Sequence, residues 1–167
     1  VIGCTGRASC EACKKCGLYH TTSTCPIKYQ HLYKKWRHSS DFKSGENLFN
    51  YWFAKSNISD TIIVVESPGN VLRLEEAGVK NSVGIFGTNM TPLQKLKIDC
   101  TPAIKIVTIL DNDTNKAGDI GRDSITKLCS KTHNVYHIVP VKNDLGEMSV
   151  DEIKLEIVPQ LERIYGN

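Results

Sequence analysis

Two short hydrophobic runs, each ending in an acid, constrain this chain more than any other feature of its sequence. Thr61-Ile-Ile-Val-Val is followed by Glu66 and then by Ser67-Pro68-Gly69-Asn70. Residues 104–110, Ile-Lys-Ile-Val-Thr-Ile-Leu, are followed by Asp111-Asn112-Asp113, with Gly118 a few positions on. β-Branched runs of this length, bounded by Pro, Gly and Asn, predict strands of a parallel sheet buried on both faces. Ligands of such sheets sit beyond the carboxyl ends of the strands. Glu66, Asp111 and Asp113 therefore converge at one edge, and three carboxylates there are what a hard divalent cation such as Mg2+ requires.

The rest of the chain after residue 60 alternates in the same way. A helix after Pro68 carries Val71, Leu72, Leu74 and Ala77 and stops at Gly78, a good residue to end a helix. Residues 83–86 predict a short strand, and Thr91-Pro92 opens a helix with the threonine as cap. Residues 119–130 read as a helix with Ile120, Ser124, Ile125 and Leu128 on one face, and residues 135–139 as a fourth strand. Ser149-Val-Asp-Glu152 is a capping box opening a helix that turns Ile153, Ile157, Leu161 and Ile164 inward. Pro159 lies inside that pattern and predicts a kink or a break. Before residue 60 a helical stretch over 45–57 carries Leu48, Phe49, Tyr51, Trp52 and Phe53. The expected fold is α/β, a mostly parallel sheet with helices on both faces.

The chain divides near residue 60, into an upstream segment over 1–59 and the alternating part over 60–167. Residues 1–60 hold nine Lys/Arg against four Asp/Glu, while the remainder holds twelve against fourteen. A basic front suits a polyanion and an acidic rear suits a metal, although a solvated surface accounts equally well for a bias of this size. No apolar stretch approaches membrane-spanning length. The first residue is Val, not Met, and the opening is not a secretory signal, so the chain reads as an excised piece.

Cys10-x2-Cys13-x2-Cys16 and Cys25-Pro26, with His20 and Cys4 nearby, form a dense thiol cluster. Structural Zn2+ takes four soft ligands at such spacing, here Cys13, Cys16 and Cys25 with Cys10 or His20. An iron–sulfur cluster is the alternative, since a run ending in Cys-Pro also holds such clusters. Disulfides need an oxidising compartment that nothing else here implies. Cys100 and Cys129 stand alone beside apolar residues and read as buried thiols.

Taken in order, Ile-Val-Val-Glu66, Pro68-Gly-Asn-Val-Leu-Arg-Leu-Glu-Glu-Ala-Gly78, Gly87-Thr88 and Ile-Leu-Asp111-Asn-Asp113 with Gly118 resemble a TOPRIM domain. More narrowly they resemble the catalytic core of bacterial DnaG-type primases and their phage relatives. The resemblance covers most of residues 60–147. Upstream, Val1-Ile-Gly-Cys-Thr-Gly-Arg7, Lys35-Trp-Arg-His-Ser-Ser, Lys43-Ser-Gly and Leu48-Phe49-Asn50 resemble pieces of the same core, so that the Cys cluster is inserted within it.

The resemblance implies a TOPRIM fold in which Glu66, Asp111 and Asp113 are catalytic and hold Mg2+ or Mn2+, with Asp144 at a fourth acidic position. An acidic loop before a capped helix explains Asp144 and Glu147 equally well. Arg7, Lys35, Arg37 and Lys43 match a basic stretch that faces nucleotide or template. The activity implied is synthesis of short RNA primers from ribonucleoside triphosphates on single-stranded DNA, with Tyr29, Tyr33 or Trp36 as candidate stacking platforms. A replicative helicase partner reached through other regions and a cytoplasmic location in a bacterium or phage-infected host go with it. Where the family has Gly and a later Asp after its glutamate, this chain has Ser67 and Asn70, which lowers the charge available at one metal site. Two rivals remain: a TOPRIM nuclease using the same acids, and a non-catalytic, zinc-stapled nucleic-acid-binding module.

Overall fold

The computed structural model describes residues 5–7, 36–112 and 116–166. The chain divides into two compact units, Val1–Lys43 and Ser44–Asn167. In the first, β1 (Thr5–Arg7) and β2 (Trp36–His38) pair antiparallel, with Gly6 opposite Arg37 and Arg7 opposite Trp36. Lys35, Tyr29, Tyr33 and the cysteines proposed for Zn2+, Cys10, Cys13, Cys16 and Cys25, lie outside the described residues.

The second unit is built on a four-stranded sheet, β4-β3-β5-β6, in which every neighbouring pair is parallel. β3 (Thr61–Val65) and β5 (Lys105–Ile109) occupy the centre, flanked by β4 (Ser82–Gly84) and β6 (Asn134–His137). All five residues of β3 and all five of β5 are buried, as expected for central strands covered on both faces.

Side chains alternate between two cores. Ile62, Val64 and Ile106 face Ile98 of α3 (Pro92–Asp99) and Ile125 of α4 (Ala117–Cys129). Ile63, Val65, Val107 and Ile109 face Val71 and Leu74 of α2 (Pro68–Glu76), together with Ile153, Ile157 and Leu161. The last three come from α5 (Val150–Glu156) and α6 (Val158–Tyr165), two helices separated at Ile157. Pro159 sits in the first turn of α6, where a missing N–H costs nothing. The expected Ser149/Glu152 capping box forms, and Thr91 caps α3 in a second box that Gln94 closes.

Residues 45–57 do not make the single helix their apolar content implies. A 3-10 turn over Ser44–Glu46 is followed by Phe49, which bridges antiparallel to Gly84, its N–H donating to the Gly84 carbonyl at 2.8 Å and its carbonyl accepting at 3.2 Å. Asn50 then turns through φ 65° and only Tyr51–Lys55 is helical (α1). Pairing with the open edge of β4 wins over helix continuation, and Asn is among the few side chains that take the left-handed region cheaply. Leu48, Ala54 and Ile58 join the core, so residues 44–58 pack with the second unit.

Of the two lone thiols, only Cys129 is buried; Cys100 caps the end of α3 and is exposed. Burial pushes the Cys129 thiol up to about 11.

At the amino edge of the sheet, the Lys105 ammonium lies 3.0 Å from an Asp60 carboxylate oxygen and donates to the Ile164 carbonyl at 3.0 Å, tying α6 to β5. Hydrogen bonds from the Thr61 hydroxyl (2.8 Å) and from Lys105 hold the Asp60 carboxyl below the usual carboxylate range. A depressed folded value contributes stability above the unfolded value of about 4 and loses it as pH falls through the folded one. The urea midpoint should therefore drop as pH falls below the unfolded value of about 4, and Asp60→Asn should make that drop shallower. An unchanged slope in the variant would contradict this assignment.

Candidate functional site

Val65 of β3 pairs with Ile109 of β5, so the residues that follow leave the two central strands at the same edge. Glu66 comes directly after β3 and Asp111 two residues after β5. They are joined: a Glu66 carboxylate oxygen accepts the Asp111 backbone N–H at 3.0 Å. The Glu66 carbonyl in turn accepts from Gly87 N–H at 3.0 Å, which anchors the loop after β4.

Ser67 caps α2, its hydroxyl accepting the Asn70 N–H at 3.3 Å, with Pro68 in the first turn. That cap carries Asn70 into a buried position, 4% exposed, where its side-chain amide donates to an Asp111 carboxylate oxygen at 3.2 Å. An ionised carboxylate at position 70 could only accept and would repel Asp111.

α4 presses on the site from behind. A Cβ at Gly118 would fall 1.9 Å from the Asp111 carbonyl oxygen, and one at Gly121 would fall 2.5 Å from the Thr88 carbonyl oxygen. Arg122, nearly buried, donates to the Leu110 carbonyl at 3.2 Å and pairs with Asp119 at 2.6 Å. The inward face of α4 is thus Gly118, Gly121, Arg122, Ile125 and Cys129, while Ile120 is 64% exposed. Apolar periodicity alone misassigns this face, because two glycines and an arginine occupy it. The signal was still present: positions 118, 122, 125 and 129 follow helical spacing and hold residues able to lie close to backbone.

A third loop completes the edge. Asn112 N–H donates to the Asn143 carbonyl at 2.6 Å and its side chain to the Pro140 carbonyl at 3.1 Å, drawing the segment after β6 against the end of β5. Asp144 caps the 3-10 turn Leu145–Glu147 by accepting the Glu147 N–H at 3.1 Å. A Cβ added to Gly146 would lie 2.7 Å from an Asp144 carboxylate oxygen and 3.8 Å from the Asn70 side-chain oxygen, so both oxygens border the space that this glycine leaves open. Glu147 is exposed and accepts from the Asn143 side chain at 3.2 Å.

The structure brings Glu66 and Asp111 into direct contact and sets Asp144 near Asn70; Asp113 lies outside the described residues. Among those described, no three His, Cys, Asp or Glu side chains gather as ligands for one ion. The two carboxylates of Glu66 and Asp111 nonetheless fit Mg2+, which retains waters and needs only one or two protein carboxylates when substrate phosphates supply the rest. Arg7 and Arg37 lie on the paired strands of the first unit, and Lys43 ends that unit. No helix among the described residues is long and apolar enough to cross a membrane.

Residues 60–139 match the Toprim domain family. The DNA primase of Clostridium acetobutylicum is 42% identical over 74 residues, which cover 44% of this chain and 12% of that protein. The crystal structure of the zinc-binding and RNA polymerase domains of the Aquifex aeolicus primase matches with a TM-score of 0.66 at 28% identity, over 98% of this chain and 36% of that one. The DnaG primase catalytic domain bound to single-stranded DNA shares the fold, with a TM-score of 0.60 at 17% identity, over 77% of this chain and 43% of that one. Residues 60–139 carry a Toprim domain, and it is similar to that of DnaG-type primases. The chain spans less than half the length of each of these three proteins.

Proposed function

We propose that this chain is the polymerising part of a DNA primase, joining ribonucleoside triphosphates into short RNA primers on single-stranded DNA in the cytoplasm of a bacterium or a phage-infected host. The observation that carries this reading is the meeting of Glu66 and Asp111 at the carboxyl edge of a Toprim sheet, backed by similarity to DNA primases. Bound Mg2+ or Mn2+ would neutralise the triphosphate and favour the deprotonated 3′-hydroxyl.

The protein's own part is positioning. Glu66, Asp111 and Asp113 would hold the cations, with Asp144 and the Asn70 carbonyl completing the rear of the site. The Asn70 amide fixes the Asp111 rotamer, and the Glu66 carboxylate is fixed in turn by the Asp111 N–H. Arg7, Lys35, Arg37 and Lys43 would screen triphosphate and template phosphates, a task suited to charges that need not form fixed contacts. Cys10, Cys13, Cys16 and Cys25 would hold Zn2+ as a staple in the upstream segment.

The test uses labelled single-stranded DNA, four ribonucleotides and Mn2+, with EDTA and Asp111→Asn as controls. RNA products of a few nucleotides, lost in both controls, are expected. Shortened DNA with the same dependence would replace the primase reading with a nuclease one. Neither product, from a chain that binds no Mn2+, would leave a nucleic-acid-binding module.

The Asn70 amide gives a second, thermal test. Asn70→Asp places a carboxylate at the 3.2 Å contact with Asp111. The melting temperature in EDTA should fall by several degrees and recover in millimolar Mn2+ more than that of the parent does. A variant that melts like the parent in both buffers would argue against a cation between these side chains.

A further inference from the structure

Trp52 is 80% exposed on α1, and its neighbour Phe53 is 45% exposed. An indole so open adds little to either core, so packing does not account for it. Its ring meets Tyr51 edge-on with centroids 6.0 Å apart. The Lys55 ammonium lies 5.8 Å from the Trp52 centroid and 5.9 Å from that of Tyr51. The Tyr51 hydroxyl donates to the Lys97 carbonyl at 2.9 Å, which fixes the pair against the last turn of α3. The Lys97 ammonium reaches the Asn47 side-chain oxygen at 3.1 Å. Among the described residues neither Lys55 nor Lys97 has a carboxylate partner.

We propose that Trp52, backed by Tyr51 and Lys55, is a stacking platform for a base of single-stranded nucleic acid. The inference rests on the proposed primase function, which supplies the single-stranded template. An exposed aromatic face beside ammonium groups that are not neutralised by a carboxylate combines the two elements by which sequence-tolerant single-strand binding works, stacking on a ring and attraction of the backbone to positive charge. Protein interfaces instead deplete lysine at their centres. α1 and α3, tied by the contact between Tyr51 and Lys97, carry Lys55, Lys95 and Lys97 against Asp99, which agrees with a polyanionic occupant.

The chain has two tryptophans, Trp36 and Trp52, so Trp36→Phe leaves Trp52 as the single indole reporter. Titrating this parent with oligo(dT), without nucleotides or divalent metal, should quench its fluorescence. Trp52→Ala should weaken binding at least about fivefold, and Trp52→Phe should retain most of it. Lys55→Ala should lower the slope of log affinity against log salt by about 0.7. Melting temperatures of the Trp52 variants should match the parent, which separates lost stacking from lost folding. Absence of binding, an unquenched Trp52 at saturation, or parent-like affinity in Trp52→Ala overturns the platform. Because the binding is read without chemistry, a chain that binds but makes no RNA would sink the primase reading and leave the platform standing. A chain that makes primers with Trp52 unquenched would do the reverse.

Discussion

Glu66→Gln is expected to lower RNA synthesis by about 10³-fold or more while shifting the melting temperature by no more than a degree or two. The asymmetry follows from one hydrogen bond. Glu66 accepts the Asp111 N–H at 3.0 Å, and a glutamine carbonyl oxygen can still accept it, though less strongly, so the tie between β3 and β5 survives. What disappears is a negative charge at the point where the proposed cations would be held. Stabilisation of several kcal/mol at a phosphoryl centre depends on that charge, and each 1.36 kcal/mol is a factor of ten in rate. Synthesis and thermal melting should be measured on the same preparation. A variant that melts normally and still makes primers would remove Glu66 from the chemistry.

Gly118→Ala should do the opposite and cost about 3 kcal/mol or more of folding stability. Its Cβ would sit 1.9 Å from the Asp111 carbonyl oxygen, and that neighbour is backbone, which no rotamer change can move aside. Relief requires α4 to retreat from β5, which would stretch the Arg122 contact to the Leu110 carbonyl and displace the acid-bearing loop. Urea unfolding measures the cost. Gly78→Ala is a useful contrast: nothing lies within 4 Å of its Cβ, but its φ of +95° strains any side chain. That change should cost only about 1 kcal/mol. Equal losses at the two positions would mean that close approach to Asp111 is not what Gly118 provides.

The two central strands and the acids after them are legible in the sequence for a physical reason. Strands buried on both faces must be apolar at every position, and a carboxylate just beyond such a run has no core role to fill. Caps are legible too, because Thr91/Gln94 and Ser149/Glu152 act within four residues. The features that escape are those in which distant segments meet. Phe49 leaves a helical pattern to pair with Gly84, the buried face of α4 is read from glycines only once Asp111 and Thr88 are known to lie against it, and Arg122 looks like a surface residue until its partner carbonyl is found. Asn70 reads from the sequence as a lost charge; in the fold it is a donor to Asp111, a role that aspartate could not take.

The Phe49–Gly84 bridge also bears on how the Toprim part can be excised. The family match begins at residue 60, but β4 is an outer strand, and residues 48–50 cover the side of it that would otherwise offer unpaired N–H and C=O groups. A fragment beginning at residue 60 would lose that cover and uncover the apolar surface now beneath Leu48, Ala54 and Ile58. Such an edge is a template for strand addition by a second molecule. A piece that starts near Ser44 keeps this cover, and the stretch ahead of the Toprim match closes an edge that would otherwise be open to a further strand.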